Sequence, residues 1–210
     1  VNQADESERR VKAWIEQLKG EGFFENEGSS SSAPAAAEAA AGAGTKAPMS
    51  SKVGVFFGTE GGATGDVAGM IEECLPAGLP KKDIILIDDG EGPGALLEVD
   101  ALLVGCPTWN TGADTERSGT PWDEFYYEDD MLPKISLAGK NVAVFGRGDQ
   151  VGYGENYCDA AGELHDCMKK QGASMFGYAD IAKDGEYIHT GSESDRDGQC
   201  IGAMCAQANQ

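Results

Sequence analysis

The 210-residue chain is poor in the residues that hold metals: it contains only two histidines, His165 and His189, and its six cysteines include no C-x-x-C pair. Zinc and iron–sulfur centres need clustered thiolate and imidazole ligands, so the sequence predicts no metal site. A catalytic Cys–His pair stays open, although no local pattern supports one. Several cysteines fall at apolar positions of predicted elements, which is typical of buried, reduced thiols in a reducing compartment. The six are Cys74, Cys106, Cys158, Cys167, Cys200 and Cys205.

Positive charge and long apolar runs are also scarce. Lys and Arg number 16 against 36 Asp and Glu, which gives a net charge of −20. Such a surface repels nucleic acid and anionic membranes and favours a basic protein partner, with acid for solubility alone as the alternative. No apolar run approaches the ~20 residues of a membrane-spanning helix, so we expect no membrane insertion. No signal peptide opens the sequence, and since it begins at Val1 without methionine we interpret it as a processed product.

The first feature that is present is an amphipathic segment. Apolar residues spaced i, i+3, i+4 and i+7 predict a helix over residues 5–19, ending before Gly20; they are Val11, Trp14, Ile15 and Leu18. The stretch SSSSAPAAAEAAAGAGTKAP that follows has no large side chain to bury and predicts a flexible linker. We therefore divide the chain into a helix at 1–22 that packs on the core, a linker at 23–50 and a folded domain at 51–210.

From Lys52 onward, short apolar runs alternate with helical patterns. The runs are VGVFF, IILI, ALLVGC, NVAVFG and SMFGYA, at residues 53–57, 84–87, 101–106, 141–146 and 174–179. Helical patterns cover residues 67–75 and 157–170, and a third helix is predicted after Thr120 as its N-cap, with Pro121 at its first position. Short, wholly apolar strands that alternate with helices predict an α/β fold, in which helices cover both faces of a parallel sheet.

Ligands of open α/β sheets bind outside the carboxyl ends of the strands, and here three unusual loops leave those ends. The first, GTEGGATG at residues 58–65, offers hydroxyls, backbone N–H groups and a helix N-terminus to a phosphate. It matches neither the P-loop nor the dinucleotide fingerprint, which disfavours a nucleoside triphosphatase or a dinucleotide enzyme. An ordinary glycine-rich turn is the alternative interpretation.

The other two loops are PTWNTG at residues 107–112 and GRGDQVGYGENY at residues 146–157. They place Trp109 and Tyr153 beyond two different strands, where the two rings could sandwich a flat ligand. Either aromatic taken singly would be read as a partly exposed loop residue. A response-regulator receiver shares this fold class but needs acidic residues at the ends of the first and third strands, where this chain has Thr59 and Thr108.

Four segments in order, FFGTEGGATGDV, PTWNTGADTERSGT, FGRGDQVGYGENY and SESDRDGQCIG, together resemble a long-chain flavodoxin of the algal type. The resemblance covers residues 52–210. It implies a flavodoxin-like, doubly wound, five-stranded parallel sheet of order 2-1-3-4-5, for which flavodoxin is itself the standard example. It also implies that residues 181–197 form the extra loop that splits the last strand in the long-chain branch.

The cofactor that the resemblance implies is FMN, bound without a covalent link. Thr59, Gly62 and Thr64 would cradle its phosphate, and Trp109 and Tyr153 would flank the isoalloxazine. Asn110 would supply the peptide that turns over on reduction, and Asp149 would face the pyrimidine edge. The implied cofactor-binding residues, with no catalytic or metal-binding residue among them, are Thr59, Glu60, Gly61, Gly62, Ala63, Thr64, Pro107, Thr108, Trp109, Asn110, Thr111, Gly112, Gly146, Arg147, Gly148, Asp149, Tyr153, Asn156 and Tyr157.

Two residues depart from the family's pattern. Gly61 stands where Ser or Thr is usual, so we expect the loss of a phosphate-facing hydroxyl to weaken FMN binding. Arg147 stands where a small or apolar residue is usual. Its cation is expected near the flavin, where it would offset that loss or raise the reduction potential.

The order of the segments also departs from the family. Family members close with an amphipathic helix after the last strand, and VNQADESERRVKAWIEQL at the front resembles that closing segment. Met49 and Ser50, just before the first strand, look like an earlier start. Our hypothesis is a circularly permuted chain or a product cut from a tandem precursor, with an unrelated helical tail as the alternative.

The function implied by the resemblance is low-potential one-electron transfer from photosystem I to ferredoxin-NADP reductase, in place of ferredoxin. Its place would be the chloroplast stroma, or the thylakoid periphery through photosystem I. An acidic rim is expected to steer docking onto basic patches of these partners: Asp114, Glu116, Asp123, Glu124, Glu128, Asp129 and Asp130. The alternatives are a flavin-poor docking subunit of a large photosynthetic complex and an FMN-dependent quinone or NADPH reductase, which would oxidise NAD(P)H on its own.

Overall fold

Strands and helices alternate along the chain, as the apolar pattern predicts. A computed structural model describes residues 3–25, 52–79, 85–86, 94–127, 132–181 and 191–206. The linker predicted at 23–50 begins too early, because Phe23 and Phe24 are buried in the core. From residue 26 onward the predicted linker lies outside the described residues, as do Met49 and Ser50. In the described part of the chain, no helix is both long and apolar enough to cross a membrane.

The helices are α1 (Gln3–Gly20), α2 (Ala63–Cys74), α3 (Gly94–Leu97), α4 (Trp122–Tyr127) and α5 (Asp159–Lys170). The strands are β1 (Val53–Phe57), β2 (Ile85–Leu86), β3 (Ala101–Pro107), β4 (Asn141–Gly148), β5 (Ser174–Phe176), β6 (Ala179–Asp180), β7 (Asp195–Arg196), β8 (Gln199–Cys200) and β9 (Gly202–Ala206). Helix α3 has only four residues, too few for a helical period to reveal it in the sequence.

The main sheet has the order β2-β1-β3-β4-β5 with parallel pairing throughout, so the predicted fold and strand order are confirmed. Two segments share its edge. β5 pairs with the first part of β4, from Asn141 to Ala143, and β9 pairs with the remainder, from Val144 to Gly148. Between them lies the small antiparallel sheet β6-β8-β7. Its strand β7 falls within the extra loop predicted at residues 181–197, and β6 and β8 flank that loop, of which residues 182–190 lie outside the described residues.

One predicted strand is too long. The run at 174–179 breaks after Phe176, because Gly177 adopts a φ of +83°, which L side chains rarely adopt. A Cβ at Gly177 would lie 2.4 Å from the Trp14 indole nitrogen, so only glycine fits there. The start of α5 also differs by two residues from the prediction, since Cys158 at φ +57° precedes the first helical residue.

Apolar side chains cover both faces of the sheet, as expected for buried parallel strands. On one face α3, α4 and α5 pack against β3 and β4, with Leu96, Trp122, Phe125, Leu164 and Met168 fully or almost fully buried. On the other face α1 and α2 pack against β1, β3 and β4, with Val11, Ile15, Leu18, Val67 and Ile71 fully buried. The apolar stripe of α1 thus lies in the core.

Polar contacts fix α1 at one point of the chain, where the edge strand breaks. Trp14 donates from its indole nitrogen to the carbonyl of Gly177 at 3.0 Å, and Gln17 donates to the carbonyl of Tyr178 at 2.7 Å. The amide of Gly177 donates to Glu21 at 2.9 Å. Because backbone groups buried without partners are costly, these three bonds make the break of the edge strand depend on α1.

We expect Trp14→Ala to lower the free energy of unfolding by about 3–5 kcal/mol, since it removes a large buried side chain and leaves the Gly177 carbonyl without its donor. Glu16→Ala, on the exposed face of the same helix, should change it by less than about 0.5 kcal/mol. Urea unfolding followed by circular dichroism measures both. Equal effects of the two substitutions would contradict the placement of α1.

Candidate functional site

A cavity of about 170 Å³ opens at the carboxyl ends of β3 and β4. These strands pair in register as far as Pro107 and Arg147, so the two loops that follow them begin side by side. The cavity is lined by Pro107, Thr108, Trp109, Thr111, Gly148, Asp149, Tyr153 and Asn156. All eight are among the residues predicted to bind a cofactor, and the structure brings them together.

Two large aromatic rings stand at this cavity, each half exposed. Trp109 and Tyr153 both keep 51% of their surface open, although such side chains normally bury most of theirs. Their backbones are nonetheless held, because the amide of Trp109 donates to Arg117 and that of Tyr153 donates to Asp149, at 3.1 and 3.0 Å. Half-exposed aromatic rings on fixed loops indicate a site for a flat, apolar ligand.

The loop after β3 is closed by its own hydrogen bonds. Asn110 donates its side-chain amide to Glu116 at 2.6 Å, and its carbonyl accepts the amide of Ala113 at 3.1 Å across a turn that contains Gly112 at φ +76°. Thr108 accepts the amide of Ala160 on its hydroxyl at 3.1 Å, which ties the loop to α5. The loop is therefore held by hydrogen bonds within the protein itself.

The glycine-rich loop between β1 and α2 presents a different set of groups. Gly61 and Gly62 have φ values of +78° and +90°, and none of the described residues lies within 4 Å of a Cβ placed on either. Gly62 donates to the Thr59 hydroxyl at 3.1 Å, and α2 has no side-chain cap among the described residues. The buried hydroxyl of Thr64 has no hydrogen-bond partner in the described part of the chain. An uncapped helix start beside an unsatisfied hydroxyl suits an oxyanion.

Of the cofactor residues predicted within residues 146–157, three do not line the cavity. Tyr157 is only 3% exposed and belongs to the core. Gly146 is also internal, since a Cβ there would lie 2.7 Å from Met204 Sδ. Arg147 donates to the hydroxyl of Ser7 in α1 at 3.3 Å, so the prediction of a cation at the cavity is wrong. The reason is the alternation of β4, which turns Gly146 towards α5 and Arg147 towards α1.

The predicted acidic rim also contains a residue that the structure places elsewhere. Asp114, Glu116 and Glu124 are exposed, but Asp123 is only 8% exposed. Its carboxylate accepts the amides of Ser118 and Gly119, at 3.2 and 2.7 Å, so it is not a rim residue. The other three predicted members, Glu128, Asp129 and Asp130, lie outside the described residues.

Two residues that support the site were not predicted. Arg117 accepts the amides of both Trp109 and Asn110 on its carbonyl, each at 3.1 Å. Asp159 accepts the side-chain amide of Asn156 at 2.9 Å and the backbone amide of Glu193 at 2.7 Å, so it links the cavity to the small antiparallel sheet region. An acid in the first turn of α5 could have been noticed in the sequence; a backbone carbonyl gives no such signal.

A histidine and several cysteines away from the cavity are buried. His165 is 2% exposed and hydrogen-bonds Tyr178 at 2.6 Å and Asp166 at 2.8 Å, and its burial lowers its pKa. All six cysteines are free thiols, and burial raises the pKa of Cys106 and Cys158 well above the usual value. His189 lies outside the described residues. No group of His, Cys, Asp or Glu among the described residues could hold a metal ion.

Comparison with known proteins gives one consistent result. The family model for Flavodoxin matches residues 55–199. The flavodoxin of Picosynechococcus sp. is 37% identical over 162 residues, which cover 76% of this chain and 87% of that protein. The flavodoxin of Nostoc sp. strain PCC 7120 is 34% identical over 164 residues, which cover 77% and 88%. The fold is similar to the structure of Fusobacterium nucleatum flavodoxin bound to flavin mononucleotide, with a TM-score of 0.61, 24% identity and coverage of 76% and 87%.

Two threonines of the site allow a matched test of its hydrogen bonds. We expect Thr64→Val not to lower the free energy of unfolding of the ligand-free protein and to raise it by up to about 1–3 kcal/mol, since the change removes a buried hydroxyl that has no partner among the described residues. Thr108→Val should lower it by about 1–3 kcal/mol, since the Ala160 amide loses its acceptor. Denaturant unfolding measures both, and a loss for Thr64→Val would contradict the assignment of its hydroxyl as unsatisfied.

Proposed function

This chain belongs to the flavodoxin family, and on that premise we propose that it is a one-electron carrier that binds FMN without a covalent link in the cavity between Trp109 and Tyr153. The observation that carries the proposal is the pair of half-exposed aromatic rings at one cavity. Flavodoxins are electron-transfer proteins and not enzymes. FMN, when bound, supplies the one-electron chemistry, and the protein supplies its environment.

The glycine-rich loop would hold the phosphate end. The uncapped start of α2 turns backbone N–H groups towards it, and the buried Thr64 hydroxyl would gain the partner that it lacks among the described residues. No Lys or Arg occurs in residues 58–65, so these neutral donors and the helix dipole would carry the attraction. Gly61, which contributes only its backbone, leaves the loop one hydroxyl short of the family's pattern.

The two aromatic loops would hold the ring system. Trp109 and Tyr153 would stack on it and exclude water from its faces, and Asp149 with the neighbouring Gly148 backbone would meet its polar edge. Hydrogen bonds within the protein close both loops. Loops held in this way favour tight binding, because less chain has to be ordered by the ligand.

Photosystem I as electron donor and ferredoxin-NADP reductase as acceptor are the partners that we propose, with the chloroplast stroma as the place where they meet. The net charge of −20 supports basic partners, and Asp114, Glu116 and Glu124 are exposed close to Trp109 in the chain. Acidic surfaces would repel this protein, whereas a basic patch on a partner would attract it and turn its cavity towards the partner.

We also propose that the chain is of the algal long-chain type with a permuted order of segments. The split edge strand supports the first part of this proposal. The packing of α1 against α2 and β9, on the face that the family's closing helix would cover, supports the second. The sequence of the gene distinguishes a permuted single copy from a tandem array of copies. If the codons for α1 and those for β1 lay in separate genes, both arrangements would be contradicted.

A flavin-poor docking subunit of a large photosynthetic complex is the second candidate function. It is favoured by Gly61, because the missing hydroxyl weakens the phosphate end of the site. The two candidates differ in one measurable property, which is the uptake of FMN.

The purified protein is expected to be yellow, or to become yellow when FMN is added, with the absorption bands of a bound flavin. Thr64→Val should raise the dissociation constant for FMN about tenfold, because a charge-assisted bond of its hydroxyl to the phosphate is lost. Thr115→Val, the same change at an exposed residue, should leave it unchanged. A colourless protein that takes up no added FMN would contradict the carrier function and favour the docking subunit.

The rate at which illuminated photosystem I reduces the FMN-loaded protein should fall as salt rises from roughly 0.01 to 0.15 M, since the Debye length shrinks from about 30 to about 8 Å. Flash absorption spectroscopy at several salt concentrations measures this rate. A rate that does not depend on ionic strength would contradict electrostatic steering, and no reduction at all would exclude photosystem I as the donor.

A further inference from the structure

Asp123 is a buried acid with a specific set of partners. It is the second residue of α4 and is 8% exposed, and its two carboxylate oxygens accept one backbone amide each, from Ser118 and Gly119. A buried carboxylate is tolerated only when it is hydrogen-bonded, so these two amides are what keeps it inside. Its neighbour Glu124 is exposed. Two adjacent acids of the same helix therefore have different surroundings.

Residues 117–119, which include the two amides that Asp123 accepts, lie against the side chain of Trp109. Gly119 has a φ of +64°, and a Cβ placed on it would lie 3.0 Å from the Trp109 Cβ, so its backbone packs directly against the indole side chain. Two residues earlier, Arg117 accepts the amides of Trp109 and Asn110. Movement of residues 117–119 would therefore move Trp109.

The helix that carries Asp123 is itself fixed to the sheet. Trp122 is fully buried and donates from its indole nitrogen to the carbonyl of Gly105, at 2.9 Å, in the strand that delivers Trp109. Its ring stacks on Tyr126, with centroids 5.7 Å apart and an interplanar angle of 20°. β3 and α4 are therefore linked in two ways. One link is the hydrogen bond from Trp122 to Gly105, and the other runs through Trp109, residues 117–119 and Asp123.

We propose that Asp123 is a positioning residue for the aromatic face of the flavin site, acting on Trp109 through the backbone of Ser118 and Gly119. The proposal rests on the proposed function in so far as Trp109 stacks on FMN. Asp123 does not line the cavity, and it determines the orientation of the ring that does. Preorganised groups of this kind raise affinity because the ring need not be ordered when the ligand binds.

The test compares Asp123→Asn with Glu124→Gln, which remove the same charge from neighbouring residues. In Asp123→Asn one acceptor oxygen becomes an NH₂ donor that faces a backbone N–H, so one of the two amides loses its partner. We expect the dissociation constant for FMN to rise roughly tenfold in Asp123→Asn and to stay within about twofold of wild type in Glu124→Gln. Equal values for the two variants would overturn the proposal.

A double-mutant cycle separates action through Trp109 from a general loss of structure. In a Trp109→Ala background, Asp123→Asn should have no further effect on FMN affinity, because the ring that it positions is gone. The same tenfold loss in both backgrounds would overturn the proposal. If Asp123→Asn does not fold, Asp123→Glu replaces it in the cycle, since it keeps the charge and both acceptor oxygens but displaces them from the amides of Ser118 and Gly119 by one methylene.

A measurement on the protein without FMN tests the role of Asp123 even if the proposed function is wrong. Fluorine NMR of the protein labelled with fluorotryptophan gives one resonance each for Trp14, Trp109 and Trp122, and the resonance missing in Trp109→Phe identifies Trp109. Asp123→Asn should shift and broaden that resonance and leave that of Trp14 unchanged, whereas Glu124→Gln should move neither. An unmoved Trp109 resonance in Asp123→Asn would overturn the proposal even if FMN binds. If wild type takes up no FMN, the carrier function fails while this measurement still decides the role of Asp123.

Discussion

The parallel pairing of β3 with β4, residue by residue from Ala101 opposite Asn141 to Pro107 opposite Arg147, is the constraint on which the site depends. The pairing continues beyond the strands, because the Thr108 amide donates to the Arg147 carbonyl at 3.0 Å. The two aromatic loops consequently begin from a single fixed edge. A shift in register would turn every side chain of one strand to the opposite face and separate the loops. The stability of the sheet and the geometry of the cavity therefore have the same origin.

The periodic parts of the fold could be predicted from the sequence because burial imposes the period. The stripe of α1 and the apolar run of β3 are examples, since each has buried neighbours at every repeat. The strand order came from the resemblance and not from periodicity, which does not say which strands are neighbours. The break at Gly177 could not be predicted, because it depends on Trp14, which is distant in sequence.

The site was predictable to a similar extent. Trp109 and Tyr153 could be placed because each lies in a loop that follows a strand, and the carboxyl ends of parallel strands meet at one edge. Gly146 and Arg147 were predicted at the site because they adjoin site residues in the sequence. Alternate residues of β4 face opposite sides of the sheet, so proximity in sequence does not place these two at the cavity. The sequence could not predict that the Arg117 carbonyl accepts two amides or that Asp123 is buried. Both features arise because the loop after β3 folds back on itself.

The surroundings of the cysteines determine how the protein responds to oxidants. The thiolate is the form that peroxide attacks, and burial raises the pKa of five thiols, those of Cys74, Cys106, Cys158, Cys167 and Cys205. Cys200, the sixth, is buried and donates to the Gly202 carbonyl at 3.4 Å. Burial thus disfavours the thiolate of those five cysteines, and four of the six side chains, those of Cys106, Cys158, Cys200 and Cys205, are buried. Oxidation of the protein by peroxide at these cysteines is therefore expected to be slow while the chain is folded.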